Sequence, residues 1–198
     1  AAAQGQFGRA VSENGANDSF LSESIFNAAG TAYDGNAYLT TYAGGDMFGI
    51  TTRSLGATAP NGIPFDMLDD SLSIFPGDTR GIIGELDDGR FFGVADASNT
   101  VGGTGTHGAE WTFNIAGGSG LSMRIDMAAM GDFEASTDNY RFSYSIDGSG
   151  FSPLFDINPD EAIDFTYTMD GGAMFTENDP LRVNGGTILS NDFATFTA

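Results

Sequence analysis

Residues 130–147 read MGDFEASTDNYRFSYSID, and Asp132, Glu134 and Asp138 fall within seven residues there with no cation among them. A loop of closely spaced carboxylates is the raw material of a calcium site. That ion takes six to eight oxygens from carboxylates, carbonyls and amides in a flexible cage. The same residues also fit a solvated acidic loop, and the spacing alone leaves both readings open. Asp88 in LDDG and Asp96 in VADAS extend the candidate set. If the strand around 90–94 docks beside the strand around 140–146, Asp96 completes a site that bridges two loops. Asp132, Glu134, Asp138, Asp96 and Asp88 are therefore the candidate metal ligands, with calcium as the expected cofactor. Asp34 and Asn36 in YDGNAY have D-x-N spacing, but the Gly and Glu of an EF-hand loop are not at the required offsets. Asp66, Asp69 and Asp70 form another acidic group in a Pro-containing loop.

Other chemistries find less support. His107 is the one histidine and sits in the Gly-rich stretch GGTGTHGAEW beside Glu110. An exposed loop is a poor setting for the oriented base that proton transfer requires. Cysteine is absent, which excludes disulfides, thiolate metal sites and a Cys nucleophile. No GxSxG elbow occurs. With 27 acidic residues some pair always suits glycoside hydrolysis, so that hypothesis has little content. Arg124 and Arg141 lie on the polar sides of their strands. If those strands are neighbours, the two arginines flank Asp126 or line a sugar groove.

The elements that position these residues read as strands. Period-two alternation marks EWTFNI (110–115), LSMRIDM (121–127), YRFSYSI (140–146) and IDFTYTM (163–169). Turn chemistry follows at AGGSG (116–120), DGSG (147–150) and DGG (170–172), and NGG (184–186) separates LRV from TIL as a hairpin. NDSFLSESIFNAAG (17–30) carries helix start and stop signals, with a strand as the alternative. A short helical turn is expected near NPDEAI (158–163). The N-terminal third is less regular, with strand material at 38–42 and 48–52 and a long loop at 56–70. These signals predict one all-β domain over 1–198, an antiparallel β-sandwich of jelly-roll type with long N-terminal loops.

Composition sets the environment. The 198 residues include 17 Phe, 6 Tyr and 1 Trp, enough to fill a core. Acidic residues outnumber basic ones 27 to 7, giving a net charge of −20, and every basic residue is Arg. Such a surface repels phosphate backbones and anionic lipid, so neither nucleic acid nor membrane insertion is expected, and it attracts divalent cations. No run approaches the roughly 20 apolar residues of a membrane-spanning helix. High acidity without cysteine fits a secreted or cell-surface bacterial protein, with a halophilic cytosolic protein as the competitor. The start AAAQGQFGRA fits the mature end left by signal-peptide cleavage, or an arbitrary boundary.

The segment 88–151, with FFG…D, WTFNI, LSMRIDMAA and D-x-Y-x-F-x-Y-S-I-D-G, resembles a jelly-roll accessory module of large secreted bacterial proteins, found beside nucleases or adhesin repeats. The resemblance implies a non-catalytic, calcium-binding β-sandwich. The expected function is a secreted, calcium-stabilised binding or adhesion module that engages glycans or cell-surface polymer. The alternative is a structural protein that self-associates into a surface layer or filament, and a polysaccharide-degrading enzyme stands third.

Overall fold

The computed structural model describes residues 4–8, 19–26, 47–52, 90–95, 106–168, 172 and 174–198, and these are all-β with antiparallel pairing throughout. The strands are β1 (Gln4–Gly8), β2 (Ser19–Phe26), β3 (Met47–Thr52), β4 (Arg90–Ala95), β5 (Gly108–Asn114), β6 (Arg124–Ala129) and β7 (Tyr140–Tyr144). They continue with β8 (Ser152–Pro159), β9 (Asp164–Thr168), β10 (Met174–Asn178), β11 (Leu181–Val183), β12 (Thr187–Ile188) and β13 (Ala194–Thr197). A five-stranded sheet runs β13-β6-β1-β4-β3, and a four-stranded sheet runs β12-β11-β8-β7. Two smaller pairs are β10-β9 and β2-β5.

β6 shows how the sheets are held. Its first half, like the residues before it, alternates. Its end does not: Met127, Ala128, Ala129 and the following Met130 are all fully buried. Met127 and Ala129 join Phe92 and Val94 of their own sheet and Phe155, Ile157, Leu181 and Val183 of the four-stranded sheet in one core. Ala128 and Met130 face the other way, against Tyr167 of β9, with Phe165, Phe175 and Phe193 packed around them. The MAAM run is therefore apolar because both faces are covered, as in strands buried between layers. The alternation in LSMRIDM predicts one apolar face, and the covering layer at its end comes from the β9–β10 hairpin, 40 residues away in sequence. Phe165 and Tyr167 meet edge-to-face there, with ring centroids 4.9 Å apart.

Two hairpins follow the turn chemistry. Asp147 and Gly148 (φ 50° and 71°) form the tight turn within the 145–151 connection from β7 to β8, and Asn184 and Gly185 (φ 51° and 67°) form that within the 184–186 connection from β11 to β12. Positive φ at both central residues is the type I′ turn, whose twist matches the strands it joins. Asn184 is further fixed by β8: its amide donates to the Asp156 carbonyl (2.7 Å), and its Oδ1 accepts from the Asp156 amide (2.9 Å).

Several expectations change. Residues 19–26 form a strand, paired with β5 along its length, and not a helix. Its serines and Ile25 are indifferent helix formers, and a long partner strand decides the outcome. The stretch 160–163 is a turn closed by the Ile163 amide on the Asp160 carbonyl, not a helix. β5 and β6 do not pair across AGGSG, because β5 joins β2 while β6 joins β1 and β13. β6 and β7 lie in different sheets, so Arg124 and Arg141 are not neighbours. Arg124 donates to Thr195 (3.1 Å) on β13 and lies 3.9 Å from Asp126, and Arg141 donates to Asp156, directly opposite it on β8. β4 pairs with β1 and β3, not with β7, so the strand docking that would carry Asp96 towards 132–138 is not formed. The strand segment expected at 38–42 lies outside the described residues, and 48–52 falls within β3.

Burial of β6 on both faces has a direct test. Ala128→Leu and Ala129→Leu should each destabilise the fold by roughly 1–3 kcal/mol, since neither core has room for the added carbons. Urea midpoints measure this, and tolerance of either change would mean that one face is open.

Candidate functional site

The acidic loop grows out of the end of β6. Met130 enters the core beneath the β9–β10 hairpin, Phe133 enters the core between the two large sheets, and both are fully buried. With its base pinned on two sides, the loop turns outward through Glu134–Asn139. The Glu134 carbonyl accepts from the amides of Thr137 (3.0 Å) and Asp138 (2.8 Å), and the Glu134 amide donates to Asp138 Oδ2 (2.8 Å). The Asn139 side chain closes the turn on the Ala135 carbonyl (2.9 Å). Partial burial pushes the Asp138 carboxyl above the ordinary aspartate range, and the Glu134 charge adds to this, while the Glu134 amide and the Thr137 hydroxyl oppose it.

Asp132 belongs to a different neighbourhood. Residues 160–164 and Asp179 are brought beside it by the β9–β10 pairing, which sets Asp164 opposite Asn178 and lets the Asp179 amide reach the Ile163 carbonyl (3.1 Å). The Asp179 carboxyl is raised first by partial burial and then by the charges of Asp132, Glu161, Asp164 and Asp160. Five carboxylates from three separate segments thus share one field. Arg182 answers part of it: its Nε donates to Asp160 Oδ2 and its Nη1 to the Gly186 carbonyl (2.6 Å). That bond, with the Ala162 amide on Oδ1, holds the Asp160 carboxyl below its ordinary value. Glu161 ties the two neighbourhoods together, its Oε1 accepting from the Ala135 amide (3.0 Å).

Of the expected metal ligands, Glu134 and Asp138 meet as backbone and side chain of one turn, the Asp132 charge acts on Asp179, and Asp88 and Asp96 lie outside the described residues. Among the described residues, no three His, Asp or Glu side chains are gathered closely enough to hold an ion. Asp160, Glu161, Asp164, Asp179 and Arg182 are absent from the sequence-based set. NPDEAID is as acidic as the 132–138 stretch, but only the hairpin register shows that it shares a field with Asp132 and Asp179.

Beside this field an open groove of about 830 Å³ runs between the acidic loop, the 160–162 turn and the β11–β12 hairpin. Asn158, Asp160, Glu161 and Arg182 line it, interspersed with Ala135, Pro159, Ala162 and Gly185. Comparison with protein-family models, curated proteins and solved structures found no match. The resemblance seen in 88–151 therefore rests on its own residues.

The raised carboxyls give a signed pH dependence. A carboxyl with a raised folded-state pKa binds its proton more tightly in the folded state, so its contribution improves as pH falls through that pKa towards the unfolded value. Asp160 works in the opposite sense, its contribution being lost only below the ordinary aspartate range. Mild acidification to just above that range should stabilise the protein. Asp179→Asn, which keeps a residue tolerant of the positive φ at this position (53°), should raise the neutral-pH stability by up to about 1 kcal/mol and shrink the acid gain. Denaturant midpoints at neutral and mildly acidic pH read both effects, and an unchanged neutral midpoint for Asp179→Asn would count against the shared field.

Proposed function

We propose that this chain is a secreted, non-catalytic β-sandwich module of jelly-roll type, stabilised by calcium and engaging glycan or cell-surface polymer. The observation that carries this reading is that Asp132, Asp160, Glu161 and Asp164 all act on Asp179 and add to the raising of its carboxyl, which partial burial begins. Like charges at a few ångströms repel by roughly 1 kcal/mol in water and by several times that near a protein surface. A divalent cation drawn to these carboxylates offsets the repulsion; because no three of them are gathered as a ready-made cage among the described residues, its binding draws the three segments together. Glu134 and Asp138 supply further oxygens in the same reading, and Asp88 and Asp96, outside the described residues, stay candidate ligands on their sequence alone. The shared core of the two larger sheets supports the sandwich architecture. The net charge of −20 sets the partner's character, favouring neutral polymer over nucleic acid or anionic lipid.

A second reading, lateral self-association into a surface layer or filament, is favoured by the exposure of Phe151 (65%) and Met174 (66%). The two readings separate by light scattering with calcium and with EDTA: the module reading expects a monomer in both conditions, and the assembly reading expects multimers.

Calcium has its own test. At 100 times its dissociation constant it should add about 2.7 kcal/mol, or on the order of 5–10 °C in Tm for a domain of this size. EDTA should remove the gain. A melting temperature indifferent to both calcium and chelator would overturn the calcium part of the proposal.

A further inference from the structure

We infer that the groove between the 134–139 turn, the 160–162 turn and the β11–β12 hairpin is a binding site for a neutral oligosaccharide. The inference rests on the module reading above and assigns its ligand-binding face. Three features carry it.

The first is size and shape. The groove is an open surface depression of about 830 Å³ rather than an enclosed cavity, a shape that leaves both ends of a polymer segment free to run on into solvent.

The second is uncommitted hydrogen-bonding capacity. Arg182 carries five N–H donors, and its bonds to Asp160 and Gly186 use two of them. Glu161 gives Oε1 to the Ala135 amide and retains Oε2. The Asn158 side chain, exposed on β8 and opposite Arg182 in register, makes no hydrogen bond among the described residues. An amide, a carboxylate oxygen and a guanidinium edge thus line one channel. Together they can both donate to and accept from hydroxyl groups, which is what a ring bearing vicinal hydroxyls requires. Ala135, Pro159, Ala162 and Gly185 between them leave low surfaces for its C–H faces.

The third is charge. Asp160 and Glu161 in the groove, with Asp132, Asp164 and Asp179 in the same field, carry more negative charge than Arg182 and one divalent cation together offset, and repel uronate, sulfate or phosphate groups. Arg182 is held against Asp160, so it acts as a hydrogen-bond donor to hydroxyls more than as an anion receptor. The ligand is therefore a neutral glycan.

The experiment titrates isotope-labelled full chain with neutral hexasaccharides (cello-, manno-, malto- and xylo-oligomers) and with hexagalacturonate, following amide shifts and affinity. At least one neutral oligomer should shift resonances at 134–139, 158–162 and 182–186, and hexagalacturonate should bind at least tenfold more weakly. Asn158→Ala, an exposed change confirmed as folded by its spectrum, should weaken that ligand by about tenfold, the effect of one or two hydrogen bonds. Phe151→Ser on the β7–β8 hairpin should leave the affinity unchanged. If neutral glycans bind but Phe151→Ser weakens them and Asn158→Ala does not, the groove assignment falls while the module reading stands. Equal binding of hexagalacturonate overturns the charge argument and the assignment with it. If no oligomer shifts any resonance, the glycan-binding reading itself is overturned.

Discussion

The structure depends most on the burial of β6 from both sides. Met127 and Ala129 lock the five-stranded sheet to the four-stranded one, and Ala128 and Met130 lock it to the β9–β10 hairpin. Three layers meet on four consecutive residues, none of which retains exposure to water. Close packing on both faces makes this stretch intolerant of volume change in either direction. It also fixes where the chain must leave the core, because Met130 and Phe133 are drawn into different cores within one short loop.

The electrostatic character of the molecule follows from that geometry. Because β6 is covered by the β9–β10 hairpin, the turns that enter and leave the hairpin are set down beside the loop that follows β6. Each carries carboxylates, so layer packing gathers negative charge around Asp179. Among the described residues, local hydrogen bonds answer part of that charge. The Glu134 amide and the Thr137 hydroxyl serve the Asp138 carboxylate, Arg182 serves Asp160, and the Ala135 amide serves Glu161. The Asp179 carboxyl is raised by its partial burial and then by the four neighbouring charges. The groove borders the same region because the β11–β12 hairpin and the 160–162 turn form its walls.

Particular residues explain what was hidden. β8 reads poorly as a strand because Pro153 and Pro159 punctuate it, yet Phe155 and Ile157 alternate into the core and Pro153 sits at the register shift against β7, where proline is tolerated. β10 and β13 are short, and neither carries an alternating run strong enough to stand out. Asn191, a buried polar residue, is intelligible only once its side chain is seen to cap the Thr168 carbonyl (2.8 Å) at the end of β9.

Local chemistry alone determined the all-β class, the strands at 108–114, 140–144 and 164–168, the Asp-Gly and Asn-Gly hairpin turns, and the excess of negative charge. Each of these follows from side-chain period, turn propensity or formal charge, which act over a few residues. Tertiary structure decided which strands are neighbours, which arginine meets which aspartate, and which carboxylates share a field. Those depend on register and layer order between segments tens of residues apart. Asp132 and Asp138 are close in sequence, yet the charge of one acts on Asp179 and the carboxylate of the other is folded back onto the Glu134 amide. The hydrophobic demand of Met130 and Phe133 for two different cores lies between them, and that demand can be read only once both cores exist.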